Sequence, residues 1–269
     1  MADPTESDPW QELRRFTQAR IALGRAGSSL PTRASLQFSL AHALARDAVH
    51  ARLDSERIVM QLGEMGLESV GVHSASGDRQ SYLHRPDLGR RLDARSRECL
   101  GAHRSTSAMN VVFVIADGLS AIAAQRHAVP VLKEARASLP GWRVGPVIVA
   151  EQARVALGDE IGTLLNAEQV VMLIGERPGL SAPDSLGIYL TFAPRAGRTD
   201  ADRNCISNVH AQGLTHAAAG RRLVDLMSAA RQLKLSGLSL KDQSDALASL
   251  TPGAVPGAVQ AALSTPKPL

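Results

Sequence analysis

Aromatic side chains are scarce in this sequence. Only 3% of its 269 residues are Phe, Trp or Tyr, so a core has to be built from Leu, Val, Ile and Ala. Single-stranded nucleic acid is held by aromatic rings interleaved with arginines, and four Phe, two Trp and two Tyr argue against that role. Cysteine is rarer still. Cys99 and Cys205 are the two present, without the CxxC or Cys/His spacing of a zinc site and too few for a disulfide framework. Such usage suits a reducing cytoplasm. No apolar run approaches the roughly eighteen residues that a membrane span requires. Met1-Ala2-Asp3-Pro4 lacks the basic and apolar regions of a signal peptide. The formal charge is +4, but the arginines are scattered and form no dense basic block.

Phosphate-binding glycines are missing too. A dinucleotide fold needs Gly-x-Gly-x-x-Gly between first strand and first helix. The corresponding turn here, Asp117-Gly118-Leu119-Ser120-Ala121, has one glycine. There is no Walker A loop, and Ile122 stands where a nucleophile elbow needs its second glycine. A freestanding dehydrogenase, ATPase or serine hydrolase is disfavoured. Asp117 reads as a helix cap at a sheet edge.

What is present divides into two patterns. In residues 1–104, Asp8-Pro9-Trp10-Gln11 reads as a helix start, with a cap, a first-turn proline and a glutamine three after the cap. That helix is expected to reach about Leu23 and to carry a basic edge of Arg14, Arg15, Arg20 and Arg25, read first as a solvated face and second as a contact with an acidic partner subunit. Pro31-Thr32 opens a second helix with Leu36, Leu40, Ala43 and Leu44 at helical spacing. Asp54 to Met65 is a third, with Ile58 and Leu62 inward. Val70 and Val72, Ser76-Gly77-Asp78, then Tyr82 and Leu83 read as a hairpin. Pro86 starts a further helix to about Leu100. His42, His50, His73, His84 and His103 show no trusted metal-ligand spacing and read as structural.

From Asn110 to Asp242 strands alternate with helices, which argues a parallel sheet with crossover helices. Strands are expected at 110–115, 147–150, 170–174, 187–192 and, briefly, 205–208. Ser120 to Leu139 is helical with Pro130 kinking or dividing it. Gly158-Asp159-Glu160 leads another helix. Thr215 caps the last one, with Leu223, Leu226, Met227, Ala230 and Leu233 toward the sheet and Ser236-Gly237 as its stop. The fold class is α/β, a Rossmann-like or flavodoxin-like, mostly parallel sheet with flanking helices, behind a mainly helical region with a small hairpin. The Ala/Ser/Pro/Gly-rich stretch 243–269 reads as a mobile tail or as a loosely docked helix near Asp245–Leu250.

The third of these strands is the most informative. Val170 to Ile174 is a continuous apolar run, buried on both faces, and it opens into Gly175-Glu176-Arg177-Pro178-Gly179. Ligands of open sheets sit at such carboxyl ends. This stretch, with Ala116-Asp117-Gly118-Leu119-Ser120-Ala121 and Asp202-Arg203-Asn204-Cys205-Ile206-Ser207-Asn208, resembles the small (light) subunits of ethanolamine ammonia-lyase. The likeness extends to Thr17-Gln18-Ala19-Arg20-Ile21, to Ala45-Arg46-Asp47 and to Tyr82-Leu83-His84-Arg85-Pro86-Asp87-Leu88-Gly89-Arg90. It covers roughly Leu13 to Asp242, with the motifs in the family's order.

The resemblance implies a subunit of an adenosylcobalamin-dependent lyase that converts ethanolamine to acetaldehyde and ammonia by a radical route. The substrate pocket would lie in a separate large subunit, with this chain holding the cofactor from the other side of their interface and inactive alone. It implies Val155, Glu176 and Cys205 as cobalamin contacts. The sequence departs from the family at Ala156-Leu157-Gly158 and is one residue shorter between Glu176 and Cys205, near Gly197. A carboxylate such as Glu176 can accept hydrogen bonds from corrin amide arms, and Val155 and Cys205 suit an apolar slot for the nucleotide base. Gly175 and Gly179 are expected to let backbone approach the ligand.

Asn208-Val209-His210-Ala211-Gln212-Gly213 looks like the Asp-x-His-x-x-Gly of cobalamin proteins that use a histidine as lower ligand. Asn208 is neutral, however, and the segment follows the wrong strand, so a base-on cofactor is expected. Family members packaged in microcompartments carry a longer amino-terminal extension. Only Met1 to Ser7 precede Asp8 here, and a diffuse cytoplasmic enzyme is the expectation. The rival readings are a freestanding Rossmann-like oxidoreductase and a non-catalytic cobalamin carrier.

Overall fold

A computed structural model of the chain describes residues 8–240. The stretch 243–269, read above as a tail, lies outside the described residues.

Helices α1 (Thr32–His50) and α2 (Ser55–Glu64) precede strand β1 (Ser69–His73). Then come α3 (Arg79–His84), α4 (Ala94–Ala102) and β2 (Val112–Ala116). A helical run follows, made of α5 (Ala121–Ala123), a π segment (Ala124–Ala128) and α6 (Val129–Ala137). The rest alternates: β3 (Val147–Glu151), α7 (Leu157–Leu164), β4 (Gln169–Gly175), β5 (Leu186–Phe192), β6 (Arg203–Val209) and α8 (His216–Leu233). The strands form one sheet in the order β1-β3-β2-β4-β5-β6.

The α/β class therefore stands, with a mixed sheet. β1, β3, β2 and β4 are parallel, whereas β5 and β6 run antiparallel to their neighbours. The reason is the link 176–185, which holds no helix. A parallel return needs a crossover of a dozen or more residues, usually helical. Without one the chain turns back on itself.

The expected hairpin at 70–83 is not formed. Val70 and Val72 lie in β1, which pairs with β3. Asp78, read as a turn residue, is the N-cap of α3 and accepts from the Ser81 N–H at 2.8 Å. That helix buries Tyr82, whose hydroxyl donates to the Ala153 carbonyl at 3.0 Å. The expected helix from Pro9 to Leu23 shrinks to one 3-10 turn, Gln11–Phe16, that buries nothing. Thr17 is extended, and Ala22 and Gly24 have positive φ. A short helix with no surface to pack on is marginal. The residues around Pro130 stay helical through the π segment just before it, which spreads the turn where the proline lacks an N–H.

Two apolar layers sandwich the sheet. On one face α2, α5, α6 and α8 pack with Ile58, Leu62, Phe113, Leu132, Leu223 and Met227 buried. Leu233, expected inward, is exposed, because the helix reaches its left-handed C-cap at Lys234 one residue later. On the other face α4 and α7 cover Val70, Val114, Ile148 and Met172 with Leu100, Leu157 and Ile161.

Two buried polar ties cross these layers. Arg203 on β6 makes a bidentate pair with Asp159 on α7, both contacts 2.7 Å. Their side chains are nearly solvent-free. On the opposite face His127 in the π segment is buried between α8 and the 176–185 link. Its Nδ1 lies 2.9 Å from His216 Nε2, and its Nε2 lies 3.4 Å from Asp184 Oδ2. Donation to the carboxylate leaves Nδ1 to accept from His216. Burial holds His127 below the ordinary imidazole range, against the pull of Asp184. For Asp184 burial acts upward but is outweighed by Arg126 and His127, so its carboxyl is lowered.

These ties generate two expectations. Breaking the ion pair by Asp159→Ala strands a buried guanidinium and should cost about 3–5 kcal/mol in urea unfolding, whereas the double variant Asp159→Leu/Arg203→Met should recover most of it. Second, a lowered His127 binds fewer protons folded than unfolded, so stability falls as pH drops below about 6.5, with the Asp184 contribution lost only below about pH 4. Thermal midpoints measured at pH 7.5 and about 5.5 should differ in the wild type and differ less in His127→Gln. An unchanged difference would remove His127 as its source.

Candidate functional site

The crevice where an open sheet usually holds its ligand lies between strands whose following helices go to opposite faces. Here that point is between β2 and β3, since α5 follows β2 on one face and α7 follows β3 on the other. It is filled by the chain itself. Arg79 Nη1 donates to the Gly118 carbonyl at 2.9 Å and contacts Asp117 Oδ2 and Gln152 Oε1 at 3.4 Å each. Its Nε donates to the Val49 carbonyl at 2.7 Å. The guanidinium carbon also stands 4.7 Å from the Tyr82 ring centroid, with Arg154 at 4.2 Å from the same ring.

Asp117 is thus not the cap expected of it. It is buried and accepts from the Gln152 and Ala153 N–H groups at 2.9 and 3.0 Å. Burial pushes its carboxyl up, opposed by those two N–H groups and Arg79. The cap of α5 is Ser120, which accepts from Ala123 N–H and donates to the Pro183 carbonyl at 2.9 Å.

The opening lies further along the sheet, beyond β4. Beyond α7, on the same face, Tyr189 of β5 is half-buried and Cys205 of β6 is exposed. All three residues singled out by the resemblance border this shelf. Val155, in the turn between β3 and α7, packs half-buried on the same apolar layer as Tyr189. Cys205 is the cross-strand partner of Tyr189. Glu176, directly after β4, is half-buried. Its Oε2 accepts from Ser185 Oγ at 2.5 Å and from Asn208 N–H at 3.4 Å. Its Oε1 lies over Gly187.

Gly187 sets the shape of this shelf. A Cβ there would stand 3.1 Å from Glu176 Cγ, Glu176 Oε1 and Tyr189 Cε2 alike. The missing side chain lets the Glu176 carboxylate and the Tyr189 ring close over the strand. Gly175 has another use than the expected ligand approach: a Cβ on it would run into the Ser120 and Asp117 carbonyls. It permits the β2 turn to cross under the end of β4. Gly179 lies in a turn whose N–H donates to the Ala182 carbonyl at 3.1 Å.

The electrostatics are those of a partly dry, weakly acidic site. Burial raises the Cys205 thiol, with Glu176 adding to the rise and the Tyr189 hydroxyl opposing it. Burial also raises Tyr189, helped by Cys205 and Glu176. Both groups are neutral at physiological pH, so Cys205 offers an uncharged polarizable surface rather than a nucleophile. Tyr189, Ser185 and Gly187 were not singled out from the residues alone. The register of β5 on β4 and β6 is what brings them to the site.

His210 is buried in a tight turn, with Asn208 at φ 64°. Its Nε2 lies 2.7 Å from Asn208 Oδ1, and its Nδ1 accepts from Gln212 N–H at 3.3 Å. Both ring nitrogens are engaged within their own loop. Among the described residues no group of three or more His, Cys, Asp or Glu is placed to hold a metal ion, and no helix is long and apolar enough to cross a membrane.

Comparison with known proteins shows the family of the chain. Residues 7–241 match the model of the ethanolamine ammonia-lyase light chain family. The ethanolamine ammonia-lyase small subunit of Pseudomonas syringae pv. tomato is 56% identical over 241 residues, covering 88% of this chain and 84% of the relative. Those of Pseudomonas putida W619 and Pseudomonas aeruginosa LESB58 are 54% and 52% identical, covering 90% and 91% of each chain. The chain belongs to the ethanolamine ammonia-lyase light chain family, the small subunits of a carbon–nitrogen lyase.

Proposed function

We propose that this chain holds adenosylcobalamin, base-on, between its β4–β6 shelf and a catalytic large subunit, and that the complex converts ethanolamine to acetaldehyde and ammonia. The observation that carries the reading is the convergence of Val155, Glu176 and Cys205 on one open face. Glu176 Oε1 lies over Gly187, where a corrin amide N–H would find an acceptor. Val155, Tyr189 and the Cys205 thiol offer the apolar, uncharged wall that a bicyclic base requires. The residues present fit the group.

The bound cofactor would supply the radical chemistry. This chain's residues bind and orient it. The engagement of both His210 nitrogens supports the base-on form, because a cobalt ligand needs a free imidazole nitrogen. The filled β2–β3 crevice weighs against a freestanding oxidoreductase. Helices on both faces of the four parallel strands support a Rossmann-like description. Two free thiols suit a reducing cytoplasm.

Three measurements test this. The isolated chain should release no ammonia from ethanolamine with adenosylcobalamin, and the chain assembled with its large subunit should; turnover by the chain alone would overturn the division of labour. In the assembled complex Glu176→Ala should weaken cobalamin binding by about 1–3 kcal/mol, the scale of a lost charged acceptor. Gly187→Leu should do so by displacing the Glu176 carboxylate and the Tyr189 ring. Unchanged affinity in both, with normal assembly, would remove the shelf as the contact. Paramagnetic resonance of the cob(II)alamin form should show coupling to benzimidazole labelled with nitrogen-15. Coupling to labelled protein histidine instead would make a histidine the lower ligand.

A further inference from the structure

Helix α1 is built the wrong way round for a helix resting on a domain. Surface helices turn their large apolar residues inward. Here Leu36, Leu40 and Leu44, one turn apart along a single line, are 64%, 61% and 49% exposed. The side toward the body carries small residues instead, with Ala41 and Ala45 half-buried and Ala48 buried. The 3-10 turn before it repeats the pattern, with Trp10 and Phe16 at 66% and 73% exposed and no residue buried. Isolated apolar residues on a surface mean little, but a contiguous patch marks a contact.

The patch is joined to the shelf. Arg20 Nη2 donates to the Leu180 carbonyl at 3.1 Å, and its guanidinium carbon stands 6.0 Å from the Phe38 ring centroid. One arginine thus links the amino-terminal arm, α1 and the 176–185 link that begins with Glu176. Gln18 contacts Gln212 at 3.4 Å, beside the His210 turn. The arm is also basic. Arg14, Arg15, Arg25 and Arg33 are all exposed around the apolar residues.

We infer that residues 10–44 form the docking surface for the large subunit, gripping an apolar face bordered by carboxylates, next to the cofactor shelf. The inference rests on the reading of this chain as the small subunit of a two-subunit enzyme. The leucine line of α1 and the Trp10–Phe16 turn supply the apolar area, and the arginines supply orientation and on-rate. Contact through Arg20 puts docking and the Glu176 link on one rigid path, so the partner arrives over the shelf.

The test uses the full chain and its large subunit. Leu36→Glu/Leu40→Glu changes only exposed positions, so the isolated variant should keep the wild-type thermal midpoint while its affinity for the large subunit falls at least about tenfold. In a Trp142→Phe background the remaining indole is Trp10. On titration with the large subunit its emission should shift to the blue and become protected from acrylamide, with affinity weakening as salt is raised. If the wild type binds and the Glu variant binds equally, or Trp10 stays quenchable, the inference is overturned while the small-subunit reading survives. Failure of the wild type itself to bind any large subunit overturns both. A self-association of the isolated chain abolished by Leu36→Glu/Leu40→Glu, with large-subunit binding intact, would make the surface a contact between copies and overturn it as well.

Discussion

The backbone return after β4 is the constraint on which the candidate site depends. The link 176–185 contains no helix, so β5 pairs antiparallel with β4 and β6 follows antiparallel again. Each parallel strand before it contributes a helix to one face or the other. The β4–β5–β6 end contributes α8 to one face only. The opposite face is consequently left open beyond α7, and that face carries Gly187, Tyr189 and Cys205. A flat ligand needs a flat, partly apolar wall, and a two-strand extension of a doubly covered sheet is such a wall.

An open shelf at a sheet edge has to be kept in register. Arg203 ties β6 back to α7 through Asp159, at the closed end of the shelf. At the other end Asp184 and Pro183 are held by Arg126, His127 and Ser120. The next residue, Ser185, holds Glu176. The carboxylate offered to a ligand is thus supported by a chain of contacts that begins on the far face of the sheet, at the π segment. Preorganisation of this kind lowers the cost of ordering a binding group when the ligand arrives.

Arg79 explains why the familiar crevice is not the site. Filling the β2–β3 gap with a guanidinium satisfies the carbonyl of Gly118 and compensates the buried charge of Asp117. It leaves no room for a phosphate there. The same arginine stacks on Tyr82, and the Tyr82–Arg90 motif packs on Ala153 and Arg154, directly before Val155, as part of the framework of the fold.

Much of this was legible from local chemistry. Thr215 caps the last helix because its side chain accepts from the Ala218 N–H three residues on. The apolar runs at 112–116, 147–151 and 169–175 are strands because only a doubly covered sheet buries such runs. The motifs around Glu176 and Cys205 were recognisable as spelled. Other features depend on partners far away in the chain. The fate of Tyr82 turned on Ala153, that of Asp117 on Arg79 and Gln152, and that of Trp10 and Leu36 on the lack of a covering surface among the described residues. The residues by themselves determined most strands of the sheet, the capped last helix and the family to which they belong, because capping, periodicity and motif spelling act within a few positions. Only the tertiary structure decided that β5 turns back, that Val155, Glu176 and Cys205 share one shelf, and that α1 shows its leucines to the outside, because each is set by contacts between residues distant in sequence.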